Sequence, residues 1–271
     1  MKKTILITGS NSGIGKVTAE YFAQQNWQVI ATMRNLKNAD ALIKHPNIAM
    51  YELDVTDTAN IEKAKAAVVH DFGKIDVVVN NAGFGCYGAF EPTTESEIDR
   101  QIAVNIKGVM MVTKVFLSHF RERKTGMFIN ISSIAGLASF PLTSMYVCSK
   151  WAVEGFSETL CYELRPLGIQ VKLVEPGAFK TNFQEKGISW SHDENMPEYI
   201  EATKALIDTR RKKQDSLPDP IAVAKKIFKA ANDSSNRLRY LVGDDAEAMM
   251  EKRLTDGAEK FVEDIYQKFQ S

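Results

Sequence analysis

The sequence has no excess of charge of either sign: 34 Lys and Arg face 34 Asp and Glu across 271 residues. No global field therefore draws the chain toward nucleic acid or an acidic membrane, and any partner must be recognised locally. Cysteine is scarce. Cys86, Cys148 and Cys161 form no CxxC pair and leave one thiol over in any bridging scheme, which excludes a disulfide scaffold and leads us to expect a reducing, cytoplasmic location. The four histidines, His45, His70, His119 and His192, show no ligand spacing, so no metal is expected. The N-terminal apolar run stops at Thr8-Gly9, too short for a signal segment or a membrane span, and reads as a strand.

What is present is a repeated rhythm. β-Branched apolar runs fall at 4–8, 28–33, 48–53, 75–79, 127–131, 170–174 and 239–242, and continuous runs of that kind read as strands buried on both faces. Helical patterns lie between them at 15–25, 58–72, 96–123, 144–165 and 220–231. The alternation predicts an α/β fold: a Rossmann-type doubly wound parallel sheet of about seven strands flanked by helices, as a single domain over 1–271. The stretch 178–218 is irregular and is expected to fold over the active site as a lid. The tail 244–271 reads as a charged amphipathic helical extension with Met249, Leu254, Phe261, Ile265 and Phe269 on its apolar face.

Thr8-Gly9-Ser10-Asn11-Ser12-Gly13-Ile14-Gly15 follows the first strand and opens the first helix. Glycines there let the backbone approach a pyrophosphate, whose charge sits on the free N–H groups of the helix N-terminus. At the end of the second strand, where an NAD-selective fold places a carboxylate, the chain reads Met33-Arg34-Asn35. Arg34 suits a ribose 2′-phosphate, with Ser10 as a further donor, so NADP(H) is the expected cofactor; a solvated surface arginine is the plain alternative. The TGxxxGIG pattern resembles the fingerprint of the short-chain dehydrogenase/reductase family, and the arginine is similar to that of its NADP-preferring members.

Tyr146 and Lys150 are four apart, on one helix face, so an ammonium can lie near the phenol. A free phenol has a pKa near ~10, and a nearby cation favours its phenolate, making Tyr146 a candidate general base toward an alcohol or acid toward a carbonyl. A serine at the end of the fifth strand could hold the same substrate oxygen; Ser132 and Ser133 both qualify, and spacing in the family selects Ser133. Asn105 lies mid-helix, where Asn is locally unfavourable. The resemblance makes it the residue that holds a water linking the lysine to solvent, against a buried structural amide. The resemblance also implies that Asp54 and Val55 lie near the adenine, and that Asn80, Asn81, Ala82 and Gly83 pack beneath the cofactor and steady the central strands. Pro176 and Gly177 turn the chain after the sixth strand, and Thr181 could donate to the cofactor; together they resemble the family's PGxxxT segment.

The substrate is expected to be a small apolar carbonyl or alcohol, steroid-, retinoid- or lipid-like, because Phe84, Tyr87, Phe90, Phe140, Leu142, Met145, Phe183, Trp190, Met196 and Tyr199 fall in segments bordering the nicotinamide. The same residues could simply pack the lid. Arg210-Arg211-Lys212-Lys213 reads as a solvated face. Two alternatives stand beside the reductase: a 3-ketoacyl-type reductase of the same fold, against which the long tail argues, and a non-catalytic NADPH-binding sensor. The resemblance implies a homodimer or homotetramer, with Trp151, Phe156 and Leu160 as contact residues.

Overall fold

In the computed structural model, which describes residues 2–37, 45–181, 183 and 187–270, all seven expected runs form strands of one sheet. They are β1 (Thr4–Ile7), β2 (Gln28–Met33), β3 (Ile48–Glu52), β4 (Val77–Asn80), β6 (Gly126–Ile131), β7 (Ile169–Pro176) and β9 (Arg239–Val242). Their order is β3-β2-β1-β4-β6-β7-β9, with every pairing parallel. Chain order reverses between β1 and β4, and the crevice at such a switch point, outside the strand C-termini, is where open α/β sheets bind ligands.

Alternation along each strand divides the core in two. Ile5, Ile7, Val29 and Val79 face one side, where Phe22 of α1 (Gly13–Gln24), Trp27 just beyond it, and Val223 and Ile227 of α7 (Ile221–Asn232) cover them. Leu6, Ile30, Val78 and Phe128 face the other, against α2 (Thr58–Phe72), α4 (Gly108–Arg123) and α5 (Ser144–Leu164). Residues 95–123 are long and apolar enough to cross a membrane, but Val112, Phe116 and Phe120 on that stretch are buried in this second core. The helix expected over 96–123 contains an irregularity. A π turn, Ala103–Lys107, joins α3 (Glu95–Ile102) to α4, and α3 opens on a capping box in which Thr94 and Glu97 satisfy each other's backbone N–H.

Three sequence expectations need correction. The stretch 178–218 is not irregular: it holds β8 (Ile188–Ser191) and α6 (Pro197–Lys213), and β8 pairs in parallel with β5 (Gly85–Gly88) in a second sheet. Four-residue strands whose partner lies about a hundred positions away leave no periodic signal; residues 182 and 184–186 of this stretch lie outside the described residues. The tail forms two helices, α8 (Asp244–Asp256) and α9 (Ala258–Gln270), broken at Gly257 with φ +78. Phe261 is buried as expected, but Leu254 is 72 % exposed and Phe269 also faces solvent. Finally, Leu160 is buried and Phe156 packs on the molecule's own core, so of the expected contact residues Trp151 alone is exposed, with the Arg253 guanidinium over its ring.

Candidate active site

The glycine-rich turn is tied to the end of β4 by one threonine. Thr8 Oγ1 donates to Val79 O (3.3 Å) and accepts from the N–H groups of Asn81 and Ala82 (both 3.0 Å). Asn81 Nδ2 returns to Thr8 O (2.8 Å) and Gly9 O (3.1 Å). These bonds leave room for glycine only: a Cβ on Gly9, at φ +67, would lie 2.9 Å from Ala82 Cα, and one on Gly15 would lie 2.4 Å from Gly9 O. Ser12 caps α1 with its side chain uncommitted to the helix, so the first N–H groups of Gly13, Ile14 and Gly15 open outward with Asn11 beside them. Thr181 comes to this turn, 3.8 Å from where a Gly13 Cβ would stand. Arg34 is exposed just past β2. A helix N-terminus, backbone without side chains and an edge arginine together fit a dinucleotide.

Several expected cofactor residues are committed to the protein. Ser10 is buried, its hydroxyl donating to Ile7 O (2.8 Å) and its N–H to Thr32 O, so the expected donation to a 2′-phosphate is corrected: that hydrogen anchors the turn. Asp54 closes its own turn, accepting from Thr56 N (2.9 Å) and Oγ1 (2.7 Å), while Val55 is buried against Gly108. Asn80 steadies the central strands as expected, donating to Asn130 Oδ1 (2.8 Å) and Thr113 Oγ1 (3.1 Å). Gly83 is exposed beside Asn105. Pro176 ends β7, and a Cβ on Gly177 would stand 2.0 Å from Asp245 Oδ1, so that carboxylate would have to move.

At the mouth of β6 the helix α5 brings Tyr146 and Lys150 together. Lys150 Nζ stands 5.7 Å from the Tyr146 ring centroid and donates to Ile131 O (2.9 Å). The Ser133 hydroxyl donates to Pro176 O (3.4 Å) and accepts from Ala135 N (3.1 Å), close enough to the Tyr146 phenol to draw it down; Ser132 is buried and faces Glu154 instead. Successive residues leaving a strand point to opposite faces, which separates the two serines. Burial, with Tyr87 alongside, pushes the Tyr146 phenol up, against downward pulls from Ser133 and Arg210. Burial draws the Lys150 ammonium down to about 8, with Glu154 pulling it back up. The expected lowering of the phenol by the lysine is corrected: burial raises it, and the cation that draws it down is Arg210.

Asn105 sits in the π turn, a distortion that frequently marks functional sites. Its side chain is occupied: Oδ1 accepts from Phe84 N (3.1 Å), and Nδ2 donates to Phe84 O (2.8 Å) and Ser149 Oγ (3.2 Å). Gln101, one turn earlier, donates to Phe84 O (3.2 Å) and Ser149 Oγ (3.0 Å), and Ser149 Oγ donates to Tyr146 O (2.7 Å). Gln101 and Ser149 escaped sequence reasoning, although a polar residue four before Asn105 shares its helix face.

Aromatic rings complete the site. Tyr87 lies 5.4 Å and Phe183 5.8 Å from the Tyr146 ring, and Trp190 packs edge-on to Tyr87 at 5.7 Å. The Arg210 guanidinium stacks 4.6 Å from the Tyr87 centroid; burial pushes the Tyr87 phenol up and Arg210 draws it back. Arg210 is thus not part of a solvated face, though Arg211, Lys212 and Lys213 are exposed. Phe90 is also exposed, and Phe84 lies under Arg100. Among the described residues no group of three His, Cys, Asp or Glu could hold a metal.

The short chain dehydrogenase family model matches residues 3–192. An oxidoreductase of Schizosaccharomyces pombe is 37 % identical over 212 residues, 78 % of this chain and 89 % of its own. A 3-ketodihydrosphingosine reductase of Bacteroides thetaiotaomicron is 40 % identical over 67 % of this chain and 65 % of its own. A 3-oxoacyl-[acyl-carrier-protein] reductase of Thermotoga maritima is 37 % identical over 68 % and 77 %. Among solved structures, a short-chain dehydrogenase from Streptomyces avermitilis has TM-score 0.83 and 35 % identity, covering 94 % of this chain and 93 % of that one. ElxO with NADP bound has TM-score 0.73 and 32 % identity over 89 % and 98 %. A Burkholderia phymatum enzyme with NAD has TM-score 0.78 and 23 % identity over 94 % of each chain, a likeness of fold.

Proposed function

The chain belongs to the short-chain dehydrogenase family, and from that premise we propose that this oxidoreductase of CH–OH and C=O groups is an NADP(H)-dependent reductase of an apolar, lipid-like ketone or aldehyde. The observation that carries the reading is the convergence of Tyr146, Ser133 and Lys150 at the sheet edge that also presents the Gly9–Gly15 turn. Gly13, Ile14 and Gly15 would hold the pyrophosphate, with Ser12 and Asn11 beside it, Thr181 across the turn, and Arg34 on the 2′-phosphate. When bound, the nicotinamide cofactor supplies the hydride for reduction and accepts it in the reverse direction.

Tyr146, kept protonated by burial, donates its phenolic proton to the carbonyl oxygen. Ser133 hydrogen-bonds the same oxygen and holds it in line. Lys150 stands close enough to offset the charge that then appears on the phenol. The Asn105 side chain is committed to Phe84 and Ser149, which leaves it to hold that part of α5 in place rather than a relay water. Tyr87, Phe183 and Trp190 form an apolar wall suited to a hydrocarbon tail. The similarity to enzymes named for 3-ketodihydrosphingosine and 3-oxoacyl substrates points to the same chemistry. Three free thiols suit a cytoplasmic enzyme.

The test is NADPH oxidation across long-chain ketones and aldehydes, with Tyr146→Phe alongside. We expect the variant to lose about 10²- to 10⁴-fold in kcat while NADPH still quenches protein fluorescence. Activity confined to acyl-carrier thioesters would move the assignment to a 3-ketoacyl-type reductase. Tight NADPH binding without oxidation of any carbonyl would make the chain a cofactor sensor.

A further inference from the structure

Beneath the turn that carries Tyr146 and Lys150 lies a group of ionisable side chains that the reaction above does not use. Glu154 stands one helical turn beyond Lys150 on the same face of α5 and is 5 % exposed. Glu175, near the end of β7, is 0 % exposed. Arg239, the first residue of β9, reaches between the two: its Nε lies 3.2 Å from Glu154 Oε2 and 3.3 Å from Glu175 Oε1, and its Nη2 lies 2.6 Å from Glu158 Oε2. Ser132, just past β6, faces Glu154 from a fourth direction. Glu154 thus faces charges from α5, β7 and β9 and a hydroxyl from the end of β6, with Gly136 packed against its side chain.

Burying two carboxyls is an unfavourable way to fill a core, since apolar residues of similar volume commonly pack there at no loss of stability. Burial raises both; Glu175, with Glu154 as a like charge beside it, goes up to about 8 and so holds a proton at neutral pH. Glu154 has the Ser132 hydroxyl, Arg239 and Lys150 each drawing it back toward ionisation. Lys150 in turn is buried to 8 % exposure, and Glu154 is the charge that opposes the loss of its proton.

We propose that Glu154 is a positioning residue of the reaction: fixed by Arg239, its carboxylate keeps the Lys150 ammonium charged and docked on the Ile131 carbonyl, within reach of Tyr146. The proposal rests on the functional reading of Tyr146 and Lys150 given above. It makes the charge of Glu154, rather than its shape, the quantity that matters. Glu154→Gln keeps the shape and removes the charge; Glu154→Asp keeps the charge and leaves a gap.

The experiment is a pH titration of the Lys150 side chain by NMR of the full chain carrying ¹³Cε-lysine, the resonance being assigned by its loss in Lys150→Arg. In Glu154→Gln the midpoint falls by about one pH unit, the low end of what a neighbouring opposite charge contributes, and the alkaline limb of kcat moves down with it. In Glu154→Asp both stay near the wild-type positions. An unchanged midpoint in Glu154→Gln, or a midpoint that falls in Glu154→Asp, overturns the proposal, because a packing role predicts that reversed pattern. Should the Gln variant fail to fold, the Asp variant decides by the same criterion. A wild type that shows no nicotinamide-dependent turnover while the Lys150 midpoint still responds to Glu154 would overturn the functional reading and leave the electrostatic coupling standing.

Discussion

At Lys150 burial and function pull in opposite directions. Its ammonium is drawn from the usual 10.5 down to about 8, and a base whose pKa is lower folded than unfolded destabilises the fold wherever it must carry its proton. The penalty is complete below about pH 8, shrinks as pH rises, and vanishes above the unfolded value. A gap of this size corresponds to about 3 kcal/mol, of which about 1 is returned by the bond to Ile131 O that a substitution would forfeit. Lys150→Met should therefore stabilise the protein by about 2 kcal/mol at neutral pH, with the gain fading toward alkaline pH, while abolishing turnover. Urea unfolding across pH checks this, and a variant that is less stable than wild type at neutral pH refutes it. The nearness of Lys150 to Tyr146 was legible in the YxxxK spacing, but the energetics of Lys150 were not: nothing in the sequence says that packing strips water from its ammonium. Ser10 illustrates the same limit, since its place in the turn suggested a phosphate donor and its burial made it an anchor.

On the scale of elements, the small sheet of β5 and β8 carries Tyr87 and Trp190, two rings of the wall proposed for the substrate. Gly88 has φ +122, and a Cβ there would stand 2.1 Å from Ser191 O, so any side chain must push the strands apart. Gly88→Ala is expected to separate β8 from β5, shift Tyr87 and Trp190 away from Tyr146, and lower kcat about a hundredfold, the size of effect that a misplacement near 1 Å produces. Circular dichroism should show the main sheet intact; a variant with wild-type kcat would refute the assignment of this sheet to the site. The β5–β8 pairing could not have been read from the sequence, because its hydrogen bonds join segments about a hundred residues apart and each strand is too short for a period. The π turn at Asn105 was foreshadowed more directly, by an Asn placed where helix propensity disfavours it.

Across the whole molecule, the balance of charges leaves cofactor affinity to local groups. With equal numbers of acids and bases in the chain, the salt dependence of NADPH binding should come chiefly from Arg34, which stands exposed beyond β2. Arg34→Glu is expected to weaken NADPH about ten- to a hundredfold, the loss of a charge-assisted bond, and to leave NADH within a few-fold. Calorimetry with both cofactors at two ionic strengths measures it, and an equal loss for NADH would remove Arg34 from the 2′-phosphate. The sequence by itself determined the parallel sheet, the strand-turn-helix that accepts a dinucleotide and the Tyr–Lys turn, because each is written in local periodicity or spacing. Only the tertiary structure decided which arginine leaves the surface for the aromatic wall, and that two buried glutamates lie under the lysine. Those choices depend on which segments desolvate one another, and desolvation is a property of the packed molecule rather than of any stretch of chain.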